Sequence, residues 1–442
     1  MSRLANEIIG LAPGRLDVMG GVSDYSGSLL LEIPIAEQTK VVLVKRIDSI
    51  IRVTTDMDDQ DFTIQKEEIA GIPYRELSKR LQSKPGGHWA SYVIGCFAVL
   101  QEEKGLHYNG VDIRVSSEIP VGKGVSSSAA LEVATMHAIS KAYGLKMDPI
   151  ELAVLAQKVE NLVVGASCGL MDQLAVNLGK KDQLLPIVCQ PHEVFDPIPL
   201  PAGVRFYGLD SGIRHAVSGS SYSDVRTAAF MAFTVAMMKS GISKDRLCSP
   251  DIPFGGFWAN ISPEVFRHTY EPLIPVEMTG AEFLVHYGVH IDRLTEVDPL
   301  RRYQLLPAAR HPVMENHRIK KFMAGIKQCN GSDHKDALLG NLGELMIDSH
   351  RGYGSVGLGE PLTSKIVDLI IEKGKGHGIP GARISGGGSG GTVAVMVSSN
   401  EGLEHLMNIR ELMENETGKE LILFEGSSDG AHYINYLFSY KS

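Results

Sequence analysis

Between Val111 and Tyr143 the sequence sets a strand, a glycine–serine loop and a helix end to end, and this stretch constrains the chain more than any other. Val111, Ile113 and Val115 alternate with Asp112, Arg114 and Ser116, the two-residue period of a half-buried strand. Pro120 stops it, and Val121-Gly122-Lys123-Gly124-Val125-Ser126-Ser127-Ser128-Ala129-Ala130 opens a helix expected over 127–143. Glycines let a backbone come close to a ligand, and a helix start leaves several N–H groups without partners. Those groups, at the positive end of the helix dipole, favour a phosphate. Serine hydroxyls add donors to phosphate oxygens or a ligand for Mg²⁺. The spacing is not that of a Walker A loop. Two readings stand at this point, a phosphate cradle and an ordinary glycine-rich turn with a serine N-cap.

The rest of the chain sets bounds. Its 442 residues suit two or three domains with real cores. A formal net charge of −9 and the lack of any long basic block argue against a nucleic-acid surface. Five scattered cysteines without C-x-x-C spacing point to a reduced, cytoplasmic protein without structural zinc. No signal-peptide core and no apolar run of the ~18 residues needed to span a bilayer are visible, so no membrane role is expected.

Upstream, Ala12-Pro13-Gly14-Arg15-Leu16-Asp17-Val18-Met19-Gly20-Gly21-Val22-Ser23-Asp24-Tyr25-Ser26-Gly27 reads as backbone turning against a ligand, or as a surface loop. Strands at 41–44 and 50–54 would begin an antiparallel sheet. Helices are expected over 88–103, with Trp89 in its first turn, and over 149–164. On the latter, Glu160 shares a face with Ala153, Ala156 and Val164, where a carboxylate needs a partner. A metal at a phosphate and a structural ion pair are the two candidates. In Gly165-Ala166-Ser167-Cys168-Gly169-Leu170-Met171-Asp172-Gln173, Asp172 is a general base in a cleft or a helix N-cap.

Strands follow at 183–188 and 206–210. Ser221-Tyr222-Ser223-Asp224 reads as a capping box for a helix over 225–239. Residues 248–311, rich in proline, read as an irregular insertion or a set of short helices. Helices over 316–326, 336–351 and 362–373 precede Ser385-Gly386-Gly387-Gly388-Ser389-Gly390-Gly391, which its flanks make an ordered turn before a strand at 393–397. Strands at 421–424 and 433–438 close the chain.

Three glycine-rich segments in this order, Ala12–Arg15, Pro120–Ala129 and Ser385–Gly391, resemble the three motifs of the GHMP small-molecule kinases. Asp24-Tyr25, Trp89, Gly169-Leu170-Met171-Asp172-Gln173, Arg214-His215 and Tyr222 resemble the galactokinase branch in particular. Asp210-Ser211-Gly212-Ile213-Arg214-His215 and Phe424-Glu425-Gly426-Ser427-Ser428 look like the kinase half of the plant L-arabinokinases within it. The resemblance implies an α+β, two-domain fold. An N-terminal domain of the ribosomal-protein-S5 domain 2 type over 1–200 and a ferredoxin-like C-terminal domain over 201–442 would meet at a cleft.

It also implies an ATP-dependent sugar-1-kinase, monomeric or weakly self-associating, whose partners are ATP, Mg²⁺ and a monosaccharide. Asp172 would serve as general base or orienter of the sugar 1-hydroxyl, with Arg15 beside it. Ser128 and Glu160 would hold Mg²⁺, and Gly122, Gly124, Ser126 and Ser127 the phosphates. Trp89 would flank the adenine. Asp24, Gly169 and Tyr222 would bond sugar hydroxyls, and Gly387 and Gly388 would shape the wall between nucleotide and sugar. Galactokinases carry a Glu and a His where this chain has Gly21 and Val22, at the hydroxymethyl end of the hexose. That departure favours L-arabinose, which lacks the group, over D-galactose. A sugar- and ATP-binding sensor without turnover is the alternative of another class.

Overall fold

A computed structural model describes residues 7–56, 61–166, 168–190, 192–213 and 220–436. The long strands Glu7–Met19 and Leu29–Lys45 form the spine of a mixed sheet. Its order runs His432–Tyr436, Glu7–Met19, Leu29–Lys45, Val111–Ser117, Ile50–Thr55, Phe62–Gln65, and Gln183–Val188 pairs with the start of Leu29–Lys45. All of these pairings are antiparallel except that of Ile50–Thr55 with Val111–Ser117. Helix Ser127–Tyr143 lies across the two spine strands, and helices Gly87–Lys104 and Pro149–Val159 pack beside it over one apolar core.

After residue 200 the chain enters a second, four-stranded antiparallel sheet of Gly381–Ile384, Thr392–Val397, Arg205–Asp210 and Leu423–Phe424. Helices Pro361–Leu369 and Asn400–Thr417 share its core. The final strand, His432–Tyr436, returns to the first sheet beside Glu7–Leu11. The chain thus combines helices and sheets in two layers of structure, as an α+β protein does.

Several local expectations change. The segment Ala12–Met19 is not a glycine loop but the second half of a strand, bent where the register slips between Pro13 and Arg15 and again between Asp17 and Met19. Bulges of this kind re-aim side chains. The turn comes later, as a short 3₁₀ helix, Gly21–Ser26. Helix Ser220–Lys239 starts early enough that 221–224 lie inside its first turns. Helix Leu305–Cys329 begins within the proline-rich segment and carries Pro312 inside it. The rest of 248–311 is loops, short helical turns around the buried Trp258 and a small antiparallel pair of Met278–Thr279 with Arg302–Tyr303. All five cysteines are free, and no described helix is long and apolar enough to cross a membrane. Arg214, His215 and the end of the 433–438 strand lie outside the described residues.

The two sheets are joined by a buried ion pair. Arg383 Nη1 lies 2.9 Å from Asp17 Oδ2 and also donates to the Asp17 carbonyl at 3.1 Å, and both side chains are wholly excluded from solvent. Burial pushes the Asp17 carboxyl up, and Arg383 and then Arg15 oppose that shift. Removing one member of a buried pair strands the other charge, at a cost of about 3–5 kcal/mol. Arg383→Met is therefore expected to lower the denaturant midpoint by a corresponding amount. A midpoint equal to wild type would show that the pair does not join the sheets energetically.

Candidate functional site

The centre of the site is Arg15, placed by the bend in strand Glu7–Met19. Its guanidinium is almost wholly buried. Nε and Nη2 donate to Asp172 Oδ1 at 3.0 and 2.8 Å, and Nη1 donates to the Gly124 carbonyl at 2.7 Å. Glu32, on the neighbouring strand, lies 3.5 Å from Nε. Burial works against the charge of Arg15, but Asp172, Glu32 and Asp17 more than offset it and hold the guanidinium above its ordinary value. One arginine thus fastens the strand, the glycine–serine loop and Asp172 together.

The loop follows its sequence reading in part. Gly122 and Gly124 both have left-handed backbones, at φ 76° and 72°. Ser126 occupies the N-cap position of helix Ser127–Tyr143, yet it too is left-handed and its hydroxyl makes no cap bond. That hydroxyl is buried without a partner among the described residues. The serine N-cap reading therefore fails, and the helix start keeps free N–H donors, the condition for binding an anion. The turn Gly386–Gly391 backs the loop. A Cβ on Gly386 would meet the Gly124 carbonyl at 3.0 Å and Arg15 Nη2 at 3.3 Å, and one on Gly391 would meet the Lys123 carbonyl at 2.8 Å. Gly388 is packed against the Leu358 carbonyl, and Gly387, beside it, is half-buried.

Glu160 begins the π-helical last turn of its helix, buried, and has no cationic partner among the described residues. Gln173 Nε2 donates to its Oε2 at 2.7 Å and Cys168 Sγ at 3.3 Å, and Ser128 also bonds the carboxylate. Burial, then Asp172, pushes Glu160 up to about 6. The ion-pair reading finds no cation for it among the described residues. Glu132, one turn further along the loop's helix, is also buried and accepts from Gln173 at 3.2 Å. Its other oxygen has no partner, and burial and Glu160 drive it well above the carboxylate range. A hydroxyl and two carboxylates that are short of positive charge make a donor set of the kind a hard divalent cation takes. Ser128 and Glu160 fit Mg²⁺ on that ground.

Asp172 is neither loop nor cap. It sits in the first turn of helix Met171–Leu178 behind Leu170, with both Arg15 bonds on Oδ1 and no described partner on Oδ2. Asp24, in the 3₁₀ turn, accepts from the Tyr222 hydroxyl at 2.8 Å, and a Cβ on Gly169 would stand 2.1 Å from its Oδ2. Asp24, Gly169 and Tyr222 are therefore one group. Burial pushes the Asp24 carboxyl up to about 7, against the Tyr222 bond and Arg226. Trp89 is half-buried in the first turn of helix Gly87–Lys104, with its indole N–H unpartnered. No hydrogen bond or ring contact among the described residues ties it to the loop.

Sequence reasoning missed Glu32, Glu132, Gln173, Asp17, Arg383 and Tyr353. The signal for the charged ones was the same as for Glu160. Glu32 interrupts Leu29-Leu30-Leu31-Glu32-Ile33, and Arg383 interrupts Ala382-Arg383-Ile384.

Residues 91–180, which carry the loop, Glu160 and Asp172, match the model of the GHMP kinases N terminal domain. L-arabinokinase of Arabidopsis thaliana is 37% identical over 96% of the chain, which spans about half, 46%, of that longer protein. Galactokinase of Glaesserella parasuis is 29% identical over 96% of the chain and 94% of its own length. Among solved structures, the Lactococcus lactis galactokinase complexed with galactose matches with a TM-score of 0.74 at 19% identity, over 96% of this chain and 94% of that one. The Methanococcus jannaschii mevalonate kinase matches at 0.58 and 15%, over 95% and 98%. These place the fold with the GHMP kinases.

Two outcomes follow from the geometry. Glu160→Gln keeps the shape but loses the charge, so the Mg²⁺ concentration for half-maximal activity is expected to rise on the order of tenfold; an unchanged Mg²⁺ titration would return Glu160 to a structural role. Asp24 is neutral below about pH 7 and charged above it. As an acceptor of ligand hydroxyls it should make kcat/KM rise with pH through that value. Asp24→Asn should lack the rise, and a pH profile that keeps it assigns the titration elsewhere.

Proposed function

We propose that the protein is an ATP-dependent sugar-1-kinase that transfers the γ-phosphoryl group of ATP to the anomeric hydroxyl of a monosaccharide, L-arabinose before D-galactose. The observation that carries this reading is Arg15, whose guanidinium bonds Asp172 and the Gly124 carbonyl at once. A group able to move a proton thus stands one arginine away from a loop built to hold phosphate.

The ATP phosphates would lie on the free N–H groups at the start of helix Ser127–Tyr143, with Gly122, Gly124, Ser126 and Ser127 around them. Ser128 and Glu160 would hold Mg²⁺, which when bound offsets phosphate charge. Asp24 and Tyr222, with Gly169 leaving room, would fix sugar hydroxyls. Asp172 Oδ2 would take the proton of the 1-hydroxyl as its oxygen attacks the γ-phosphorus and ADP departs. Arg15 would hold Asp172 in place through Oδ1 and offset charge on the transferring group. Gly387 and Gly388 keep the wall between the two substrates free of side chains, and Trp89 would flank the base.

Two observations support L-arabinose. Positions 21 and 22 offer no polar side chain, and the Arabidopsis relative is named for that sugar. The presence of both Arg15 and Asp172, in contact, favours turnover over a silent sensor. Asp172→Asn is expected to lower kcat on the order of 10²-fold or more, measured as sugar-dependent ADP release. A near-wild-type kcat would remove Asp172 from the chemistry. The sugar itself is decided by kcat/KM for L-arabinose against D-galactose, and preference for D-galactose would overturn that part of the reading.

A further inference from the structure

Tyr353, from helix Lys335–Ser355, is wholly buried where the 3₁₀ turn meets the glycine-rich turn. Its hydroxyl accepts from the Val22 N–H at 2.9 Å and donates to the Gly386 carbonyl at 2.8 Å. One hydroxyl therefore joins the turn that carries Asp24 to the turn that backs Arg15 and Gly124. The ring is held in turn. The Arg383 guanidinium lies 5.0 Å from its centroid, and His311 meets it edge-on at 5.7 Å. A Cβ on Gly388 would come within 3.1 Å of Tyr353 Cδ1.

Gly21 gives the second observation. Its φ is +48°, and a Cβ there would stand 1.6 Å from the Tyr353 hydroxyl oxygen and 2.3 Å from Asp17 Oδ2. Neither atom belongs to a floppy side chain, because the hydroxyl is bonded at both sides and Asp17 is paired with Arg383. The space that a side chain at 21 would use is filled from helix Lys335–Ser355. Protein therefore fills the place of any side chain at 21, and positions 21 and 22 offer no polar side chain.

We propose that Tyr353 is a positioning and specificity-determining residue, which seats the Asp24 turn against the Gly386–Gly391 turn and closes the sugar pocket to a substituent on the ring carbon that bears hydrogen alone in a pentopyranose. The proposal rests on the sugar-kinase reading. A hexopyranose carries a hydroxymethyl group at that carbon, and its 6-deoxy form a methyl, so the two separate bulk from polarity.

The test is steady-state kinetics of the full chain, wild type and Tyr353→Ala, on L-arabinose, D-fucose and D-galactose. In Tyr353→Ala, kcat/KM for D-fucose and D-galactose relative to L-arabinose is expected to rise tenfold or more. L-arabinose itself should lose mainly through a higher KM, because a displaced Asp24 binds sugar less well. Unchanged ratios among the three sugars would overturn the proposal, whatever happens to absolute rates, since a purely structural defect lowers all three together. If Tyr353→Ala does not fold, the same ratios in Tyr353→Phe decide, with a shift toward the larger sugars expected and no shift overturning it. Wild-type protein that phosphorylates none of these sugars removes the kinase reading and this proposal with it. Active wild type with unchanged variant ratios removes only the role of Tyr353.

Discussion

The site depends on one buried guanidinium. Arg15 is held where water cannot reach it, so its donors must be met by protein groups, and an unmet charge there would cost several kcal/mol. The groups that meet it come from three distant parts of the chain: Glu32 on the adjacent strand, the Gly124 carbonyl in the loop, and Asp172 at a helix start. Each is fixed to Arg15 by its own geometry, so the relative placement of loop and acid is a consequence of satisfying one cation. Gly14 makes the approach possible. A Cβ there would strike the Val125 carbonyl at 2.7 Å, and the Arg15 N–H bonds that same carbonyl at 3.2 Å. Strand and loop touch backbone to backbone because position 14 has no side chain.

Charge is not balanced around this centre. Asp17, Glu32, Glu132, Glu160 and Asp172 influence one another in an unbroken chain, whereas Arg15 and Arg383 oppose the shifts of Asp17 and Glu32 alone among those that shift. The result is visible in the upward shifts of Asp17, Glu32, Glu132 and Glu160, each led by burial. A nucleotide triphosphate would bring further negative charge into this setting. Under the proposed function it would enter with its divalent cation, and Glu160 and Ser128 stand where the loop's helix begins, ready to share that cation with the phosphates. The surplus of carboxylates is then the complement of the cation and no flaw in packing.

Much of this was legible before the structure. The strand period at 111–115, the helix after Ser126 and the carboxylate of Glu160 on an apolar face all kept their sequence readings, because each rests on a local pattern of burial. The first motif misled in part. Gly20, Gly21 and Gly27 do turn the chain, but Gly14 serves close backbone packing within a strand, as does Gly10 just before the motif, which would otherwise collide with the Ala134 carbonyl of the loop's helix. Local sequence does not distinguish a glycine needed for a turn from one needed for contact with a distant element. For the same reason the pairing of Asp17 with Arg383 and the place of Tyr353 between two turns could not be read from the sequence. Asp17 and Arg383 are 366 residues apart, and only the folded chain shows that each is the other's counterion.

The glycine at 21 shows how such distant contacts carry chemical meaning. Read alone, Gly21 and Val22 are two missing polar side chains, a negative observation that says little about what fills the gap. In the fold the gap is already filled, because Tyr353 Oη and Asp17 Oδ2 occupy the place of any Cβ. A larger residue at 21 would have to displace a hydroxyl bonded on both sides and a carboxylate in a buried ion pair, so the position cannot be changed singly. Residue 21, Tyr353 and the Asp17–Arg383 pair therefore form one steric unit. The choice of sugar, on this view, is set in the same buried contacts that hold the two sheets together.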